Sequence, residues 1–198
     1  MIDEFLTGNR LFVENEFNKN NDYYKELAGH QHPKILWIGC SDSRVSEDVI
    51  TNSKPGSIFV HRNIANIVSF NDINIASIIE YAVKHLMIPD IVVCGHYNCG
   101  GIQAMLDGVD EPYIADWLLI ASGAIQKAQQ MADQNNLTTK QHQDLLSEEN
   151  VKLQINHLRS MSLIRNMHKR GQIPRIHGWI YSVETGKIKV LVDGNTNT

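Results

Sequence analysis

Short apolar runs alternate with longer amphipathic stretches along this chain. Ile35-Leu36-Trp37-Ile38 and Ile91-Val92-Val93-Cys94 are continuous apolar runs of strand length, the pattern of parallel strands buried on both faces. Ile2, Phe5, Leu6, Phe12, Val13 and Phe17 recur at helical spacing among polar residues and predict an amphipathic helix from Ile2 to about Phe17, with a second from Asp22 to about Ala28. After Pro33 and the first strand come a helical turn over Val45 to Ile50 and a turn at Lys54-Pro55-Gly56. A strand over Ser57 to Arg62 follows. Asn71-Asp72 marks a helix start, and the apolar residues from Ile73 to Met87 fit a largely buried helix that ends before Pro89. Gly100-Gly101 opens another helix. One long helix is expected from Pro112 to about Asn135 and another from about Thr139 to Lys169, ending at Gly171. Arg175 to Val183 and Lys187 to Val192 read as strands joined by a turn at Glu184-Thr185-Gly186, followed by a frayed polar tail from Asp193 to Thr198.

This order predicts an α/β fold, a central mostly parallel sheet flanked by helices with a right-handed crossover between strands. With no repeat, low-complexity block or linker, residues 1–198 read as a single domain whose first 32 residues form a helical arm. Such an arm can cover its own core or pack on a neighbouring subunit.

Composition narrows the function. Eighteen basic and 22 acidic residues give a formal charge of -4, which offers no footprint for nucleic acid or an anionic membrane, so the expected partner is small. No apolar run approaches the ~20 residues of a membrane span, and Met1-Ile2-Asp3-Glu4-Phe5 lacks the basic and apolar regions of a signal peptide. A reducing, cytoplasmic compartment is the expectation. Three cysteines then argue against a disulfide framework and leave thiolates for metal or catalysis.

Ligands of open α/β sheets sit beyond the carboxyl ends of the strands, where this chain places Cys40-Ser41-Asp42-Ser43-Arg44 and Gly95-His96-Tyr97-Asn98-Cys99-Gly100-Gly101. Cys40, His96 and Cys99 supply three zinc ligands, and Asp42 is near enough in sequence to be a fourth. Two thiolates would neutralise Zn²⁺ and acidify a bound water less than a three-histidine site, where its pKa falls to about 7. A carboxylate beside the ion could compensate, and Arg44 is placed to hold Asp42 off the metal. Asp42 thus has two available states, paired with Arg44 or bound to zinc. Elsewhere, Cys94 inside its apolar run reads as a small buried hydrophobe. His61 is either a packed residue or one that meets an anion. Arg62 and Asn63 either serve a site or tie a strand end to backbone carbonyls.

Cys40-x-Asp42-x-Arg44 with His96-x-x-Cys99-Gly100-Gly101 and the intervening Arg62-Asn63-Ile64-Ala65-Asn66 closely resembles the β-class carbonic anhydrases, over most of the chain from Trp37 through Trp179. The resemblance implies a lyase that interconverts CO₂ and bicarbonate through zinc-bound hydroxide, with one zinc per subunit on Cys40, His96 and Cys99. Asp42 and Arg44 would be its catalytic dyad. It also implies a homodimer or homotetramer, a substrate wall of Phe59, Ile64 and Tyr81 partly across the dimer interface, and the Gly100 N–H as a donor to substrate. Lys54 stands before Pro55-Gly56 where plant-type members carry a substrate-binding Gln, so the closer likeness is to a bacterial subgroup. In that subgroup Trp37, Val45, Arg62 and Tyr181 match a noncatalytic bicarbonate pocket, which implies allosteric regulation by pH and bicarbonate.

Three alternatives compete. A Cys-dependent phosphatase needs a longer arc of backbone amides than Ser41-Asp42-Ser43 supplies, and Asp42 would repel phosphate, while a redox enzyme lacks its C-x-x-C pair. A zinc hydrolase of carbon disulfide or carbonyl sulfide would keep the fold and metal. A noncatalytic zinc-binding module would leave the Asp42–Arg44 pair without a purpose.

Overall fold

A computed structural model describes residues 2–172 and 174–196, so the end of the expected polar tail lies outside the described residues. These residues fall into two units, divided between His32 and Pro33.

The first unit holds α1 (Ile2–Phe12), a wider turn over Val13–Phe17, and α2 (Asn21–Gly29). The continuous helix expected from Ile2 to Phe17 therefore changes pitch at Val13. Phe17 stacks on Tyr24 at 4.9 Å and Phe12 meets the same ring edge-on at 5.7 Å, which folds the two helices together. No residue of α1 or α2 is buried, and Ile2, Phe5 and Leu6 are exposed.

The second unit is built on β1 (Ile35–Cys40), β2 (Ile58–Asn63), β3 (Asp90–His96), β4 (Arg175–Tyr181) and β5 (Ile188–Val192). Their order is β2-β1-β3-β4-β5, with parallel pairing through β4 and an antiparallel β5 at one edge. Helices α3 (Glu47–Thr51), α4 (Ile73–Lys84), α5 (Gly100–Asp107), α6 (Pro112–Leu118), α7 (Ser122–Asn135), α8 (Thr139–Ser160) and α9 (Ser162–Lys169) complete it. Asp72 caps α4 by accepting from Asn74 N at 2.9 Å, and Thr138 and Gln141 form a capping box on α8 worth about 1 kcal/mol.

Both long helices expected from periodicity are broken. A tight turn over Leu119–Ala121 separates α6 from α7, and Met161, at ψ 133°, interrupts the other between α8 and α9. Neither break contains Gly or Pro, so the apolar spacing runs through it without a marker.

On one face of the sheet Leu36, Ile38, Ile91 and Val93 pack with Ile79 of α4 and Val151 and Ile155 of α8. Each fully buried aliphatic side chain contributes about 1.5–3 kcal/mol. Gly95 and Gly178 let α8 approach β3 and β4 closely, since a Cβ at Gly95 would lie 2.7 Å from Val151 Cγ2 and one at Gly178 would collide with Ile155. Trp37, Val45, Val92, Cys94 and Tyr181 form a second cluster. No helix among the described residues is long and apolar enough to cross a membrane.

Candidate metal centre

Strand pairing brings the expected ligands together. Gly39 of β1 lies opposite Cys94 of β3, so both strands run out side by side and deliver Cys40 and His96 to one place. Two residues on, Asn98 takes φ 56°, a left-handed turn that asparagine tolerates, and Cys99 folds back against them at the start of α5. The ligand atoms of Cys40, His96 and Cys99 lie within 4.8 Å of one another, all buried, and the two sulfurs are 3.8 Å apart.

The donor set fits zinc. His96 Nδ1–H donates to the Tyr97 carbonyl at 3.0 Å, which turns the lone pair of Nε2 inward. That Nε2 is buried and has no hydrogen-bond partner, an arrangement that costs stability unless something accepts the lone pair. The contact with Cys99 draws the Cys40 thiol pKa down against the opposing effect of burial, while the same contact and burial push Cys99 up.

Asp42 stands outside this trio, on Arg44. Arg44 Nε donates to Oδ1 at 2.9 Å and Nη2 to Oδ2 at 2.7 Å, and the Arg44 backbone N–H adds a third bond at 2.9 Å. Of the two states open to Asp42, this is the Arg-paired one. The pair holds the Asp42 carboxyl well below the usual carboxylate range. Oδ2 nevertheless points toward the ligands, 3.7 Å from His96 Nε2. Arg44 also donates to the Asn98 carbonyl at 3.1 Å, which joins the two loops.

Arg62 donates to the carbonyls of Cys40 at 2.8 Å, Asp42 at 2.6 Å and Val45 at 2.7 Å, so it braces the loop that carries the Asp42–Arg44 pair. Its Nη1 faces the buried carboxylate of Glu47 at 3.9 Å, and Glu47 Oε2 accepts no hydrogen bond. Trp37, Val45 and Tyr181 of the expected bicarbonate set share one apolar cluster beside this arginine. Glu47 was not legible as a participant; its only signal is a second acid beside Asp48.

The expected substrate wall divides. Ile64 lies at the site, because a Cβ on Gly101 would meet its Cγ2 at 3.0 Å, and its carbonyl accepts from Trp117 Nε1 at 2.9 Å. Gly100 begins α5 and is exposed, and a Cβ there would meet nothing within 4 Å. Phe59 and Tyr81 instead stack on each other, centroids 5.9 Å apart, on and beside the edge strand β2. Phe59 precedes Asn63, the residue opposite Cys40, by four positions or roughly 13 Å of strand.

Tyr97, between the ligands, is anchored independently. Its hydroxyl donates to Glu148 of α8 at 2.6 Å, Lys189 of β5 donates to the same oxygen at 2.8 Å, and its backbone N–H donates to the Tyr181 carbonyl at 2.9 Å. Burial, then Glu148, pushes the Tyr97 hydroxyl pKa up, so it stays a donor. Cys94 is buried and donates to the Gly95 carbonyl, away from the trio.

A family profile described as carbonic anhydrase matches residues 35–188. The chain is 34% identical to a carbonic anhydrase of Emericella nidulans over 96% of its own length and 82% of that protein's. It is 35% identical to a carbonic anhydrase of Pseudomonas aeruginosa, over 96% and 86% of the two chains. In three dimensions it is similar to a tetrameric β-carbonic anhydrase of Sordaria macrospora, with TM-score 0.88, 38% identity and 96% of both chains covered.

Proposed function

The chain belongs to the β-class carbonic anhydrases, zinc enzymes that interconvert CO₂ and bicarbonate, and on that premise we propose that Cys40, His96 and Cys99 hold the ion while Asp42, fixed by Arg44, serves the attacking water. The observation that carries this reading is the buried, partnerless His96 Nε2 set between two thiols, with an Arg-held carboxylate 3.7 Å away.

Zinc, when bound, supplies a Lewis acid that makes a water nucleophilic near neutral pH. Asp42 Oδ2, 3.7 Å from His96 Nε2, would accept a hydrogen bond from the attacking water and orient it toward the substrate carbon. Arg44 holds both Asp42 oxygens in hydrogen bonds and keeps the carboxyl ionised, so it remains an acceptor. Ile64 offers an apolar surface to CO₂, and the Gly100 N–H, at a helix start, offers a partial positive charge to the oxygen that becomes anionic.

Phe59 and Tyr81 complete the substrate wall from a second copy of the chain. Phe59 on the edge strand β2 and Tyr81 of α4 stacked beside it support a homodimer or homotetramer, and Tyr81 is 45% exposed. The three unbridged cysteines support a reducing, cytoplasmic setting.

Bicarbonate regulates the enzyme by competing for Arg62. An anion drawn beside Trp37, Val45 and Tyr181 would pull Arg62 from the carbonyls of Asp42 and Val45 and release the loop that keeps Asp42 on Arg44. Stopped-flow CO₂ hydration against pH, with and without added bicarbonate, tests the scheme in wild type and Trp37→Phe. Wild type should rise steeply in alkali and be suppressed by bicarbonate, with a shallower response in the variant. An equally shallow profile in both would overturn the regulation, and zinc-loaded enzyme that hydrolyses carbonyl sulfide but does not hydrate CO₂ would overturn the substrate.

A further inference from the structure

Tyr97 stands between two of the ligands in sequence and turns its side chain away from them. Its ring packs against the core that α8 covers, and its hydroxyl donates to Glu148 of α8 at 2.6 Å. Its backbone faces the centre. The Tyr97 carbonyl accepts from His96 Nδ1–H at 3.0 Å, and the next carbonyl, that of Asn98, accepts from Arg44 at 3.1 Å. Direct bonds therefore run from α8 through one residue to the imidazole of a ligand.

Tyr97 is held at two points. Its N–H is bonded to the Tyr181 carbonyl at 2.9 Å and its phenol to Glu148. With the nitrogen and Cβ both fixed, the tetrahedral Cα leaves the carbonyl carbon one place, within reach of Nδ1. Without Glu148 the residue would be free to turn about φ and carry that carbonyl away. No strand ladder restrains it from the other side, since β3 ends at His96 and the chain reverses at the left-handed Asn98, φ 56°. The phenol bond suits this purpose. A carboxylate accepting from a hydroxyl makes a short, charge-assisted bond, and the Glu148 side chain is only 17% exposed, which limits competition from water. Lys189 balances the charge of the same oxygen from a side chain that is 60% exposed, so it adds little to the geometry.

We propose that Glu148 is a positioning residue for the metal centre: by anchoring the Tyr97 phenol it keeps the Tyr97 carbonyl on His96 Nδ1–H, which fixes the tautomer and orientation of that ligand. The inference rests on the zinc reading above. Carbonyl partners of ligating histidines carry about 10–100-fold in metal affinity or activity, and Glu148, acting through such a carbonyl, belongs at the lower end of that range.

The test uses the full chain with Zn²⁺ as the probe. Zinc affinity is read by competition with a chromogenic chelator, and nitrogen-15 NMR of labelled histidine in the metal-free protein reads which nitrogen of His96 carries the proton. Glu148→Ala should weaken zinc binding about tenfold and turn a single Nδ1–H tautomer into a mixture. Tyr97→Phe, which removes the hydroxyl and keeps the ring, should do the same and stands in if the first variant fails to fold. Glu148→Gln still offers the phenol an acceptor, so it should restore the wild-type tautomer and bind zinc within about twofold of wild type. Wild-type affinity and an unchanged tautomer in both Glu148→Ala and Tyr97→Phe would overturn the proposal, as would a loss in Glu148→Gln as large as in Glu148→Ala. Wild type that takes up no zinc would overturn this proposal together with the reading it rests on.

Discussion

An aspartate, an arginine and a histidine meet at each end of β3, with residues of β4 at its start and of the loop after β1 at its far end, and only one of these groups is built for chemistry. At the start of β3 and β4, Arg175 holds Asp90 through bonds of 2.6 and 2.7 Å, and His177 Nε2–H donates to Asp90 at 3.0 Å. The other nitrogen of His177 accepts from Gly194 N at 3.2 Å, so every group is paired. Burial pulls the Asp90 pKa up, and Arg175 and His177 outweigh it. At the far end of β3, Arg44 holds Asp42 just as closely, but His96 Nε2 is left without a partner beside two thiols. The same residue types make a strut where their valences are closed and a centre where one is left open. What separates the two ends is the pair of sulfurs and an unsatisfied buried nitrogen, rather than the ion pair.

Damaging a ligand at one end and its counterpart at the other should give the largest difference between the two ends. Cys99→Ser should lose zinc and lower CO₂ hydration about a thousandfold or more, since Lewis-acid stabilisation is worth several kcal/mol. His177→Ala should keep both zinc and rate, and cost about 1 kcal/mol in denaturant unfolding. Equal loss of activity in the two variants would erase the distinction.

A smaller effect is expected from the paired carboxylates. Asp42→Asn should retain zinc yet slow CO₂ hydration about a hundredfold or more, the range of a lost proton acceptor. Asp90→Asn should leave the rate alone and cost under about 1 kcal/mol, because Arg175 is half exposed and the pair is screened. The acid limb separates them further. Because Arg44 depresses the folded-state pKa of Asp42, the stability this pair contributes is complete above the ordinary carboxylate value of about 3.9. It is lost only as pH falls through the lower folded value. Unfolding midpoints of wild type and Asp42→Asn should therefore converge only in strong acid.

The smallest expected effect concerns the brace. With Glu47 neutralised, Arg62 loses the carboxylate facing it and becomes a better anion acceptor. Glu47→Gln should therefore be inhibited at severalfold lower bicarbonate than wild type, on the order of 1 kcal/mol of competition. Inhibition at the same or higher bicarbonate would mean that Glu47 does not compete for Arg62.

Much of this organisation was legible because it follows from strand order. Two apolar runs of parallel-strand pattern, each ending in ligand residues, were enough to bring Cys40, His96 and Cys99 together, and the nearby Asp42-x-Arg44 spacing permitted the bidentate pair. The breaks at Leu119 and Met161 were not legible, since apolar spacing continues through both and no Gly or Pro marks them. Glu47, Asn150 and Gln154 were also missed. Polar residues on a helix read as its solvated face unless tertiary contacts are known, and the left-handed turn at Ala65, whose carbonyl accepts from Asn150, falls on a residue with no turn propensity. Asn150 and Gln154 share one helix face at a spacing of four with buried Val151 and Ile155 beside them, which is the one trace the sequence holds of their burial.

The open valence at the end of β1 and β3 is read as a zinc site on which CO₂ hydration depends. Titrating Zn²⁺ into metal-free protein while following stopped-flow CO₂ hydration at alkaline pH tests it directly. Activity should rise in proportion to added zinc and level off at one equivalent per chain. Full activity without zinc, or a zinc-loaded protein that does not hydrate CO₂, would contradict it.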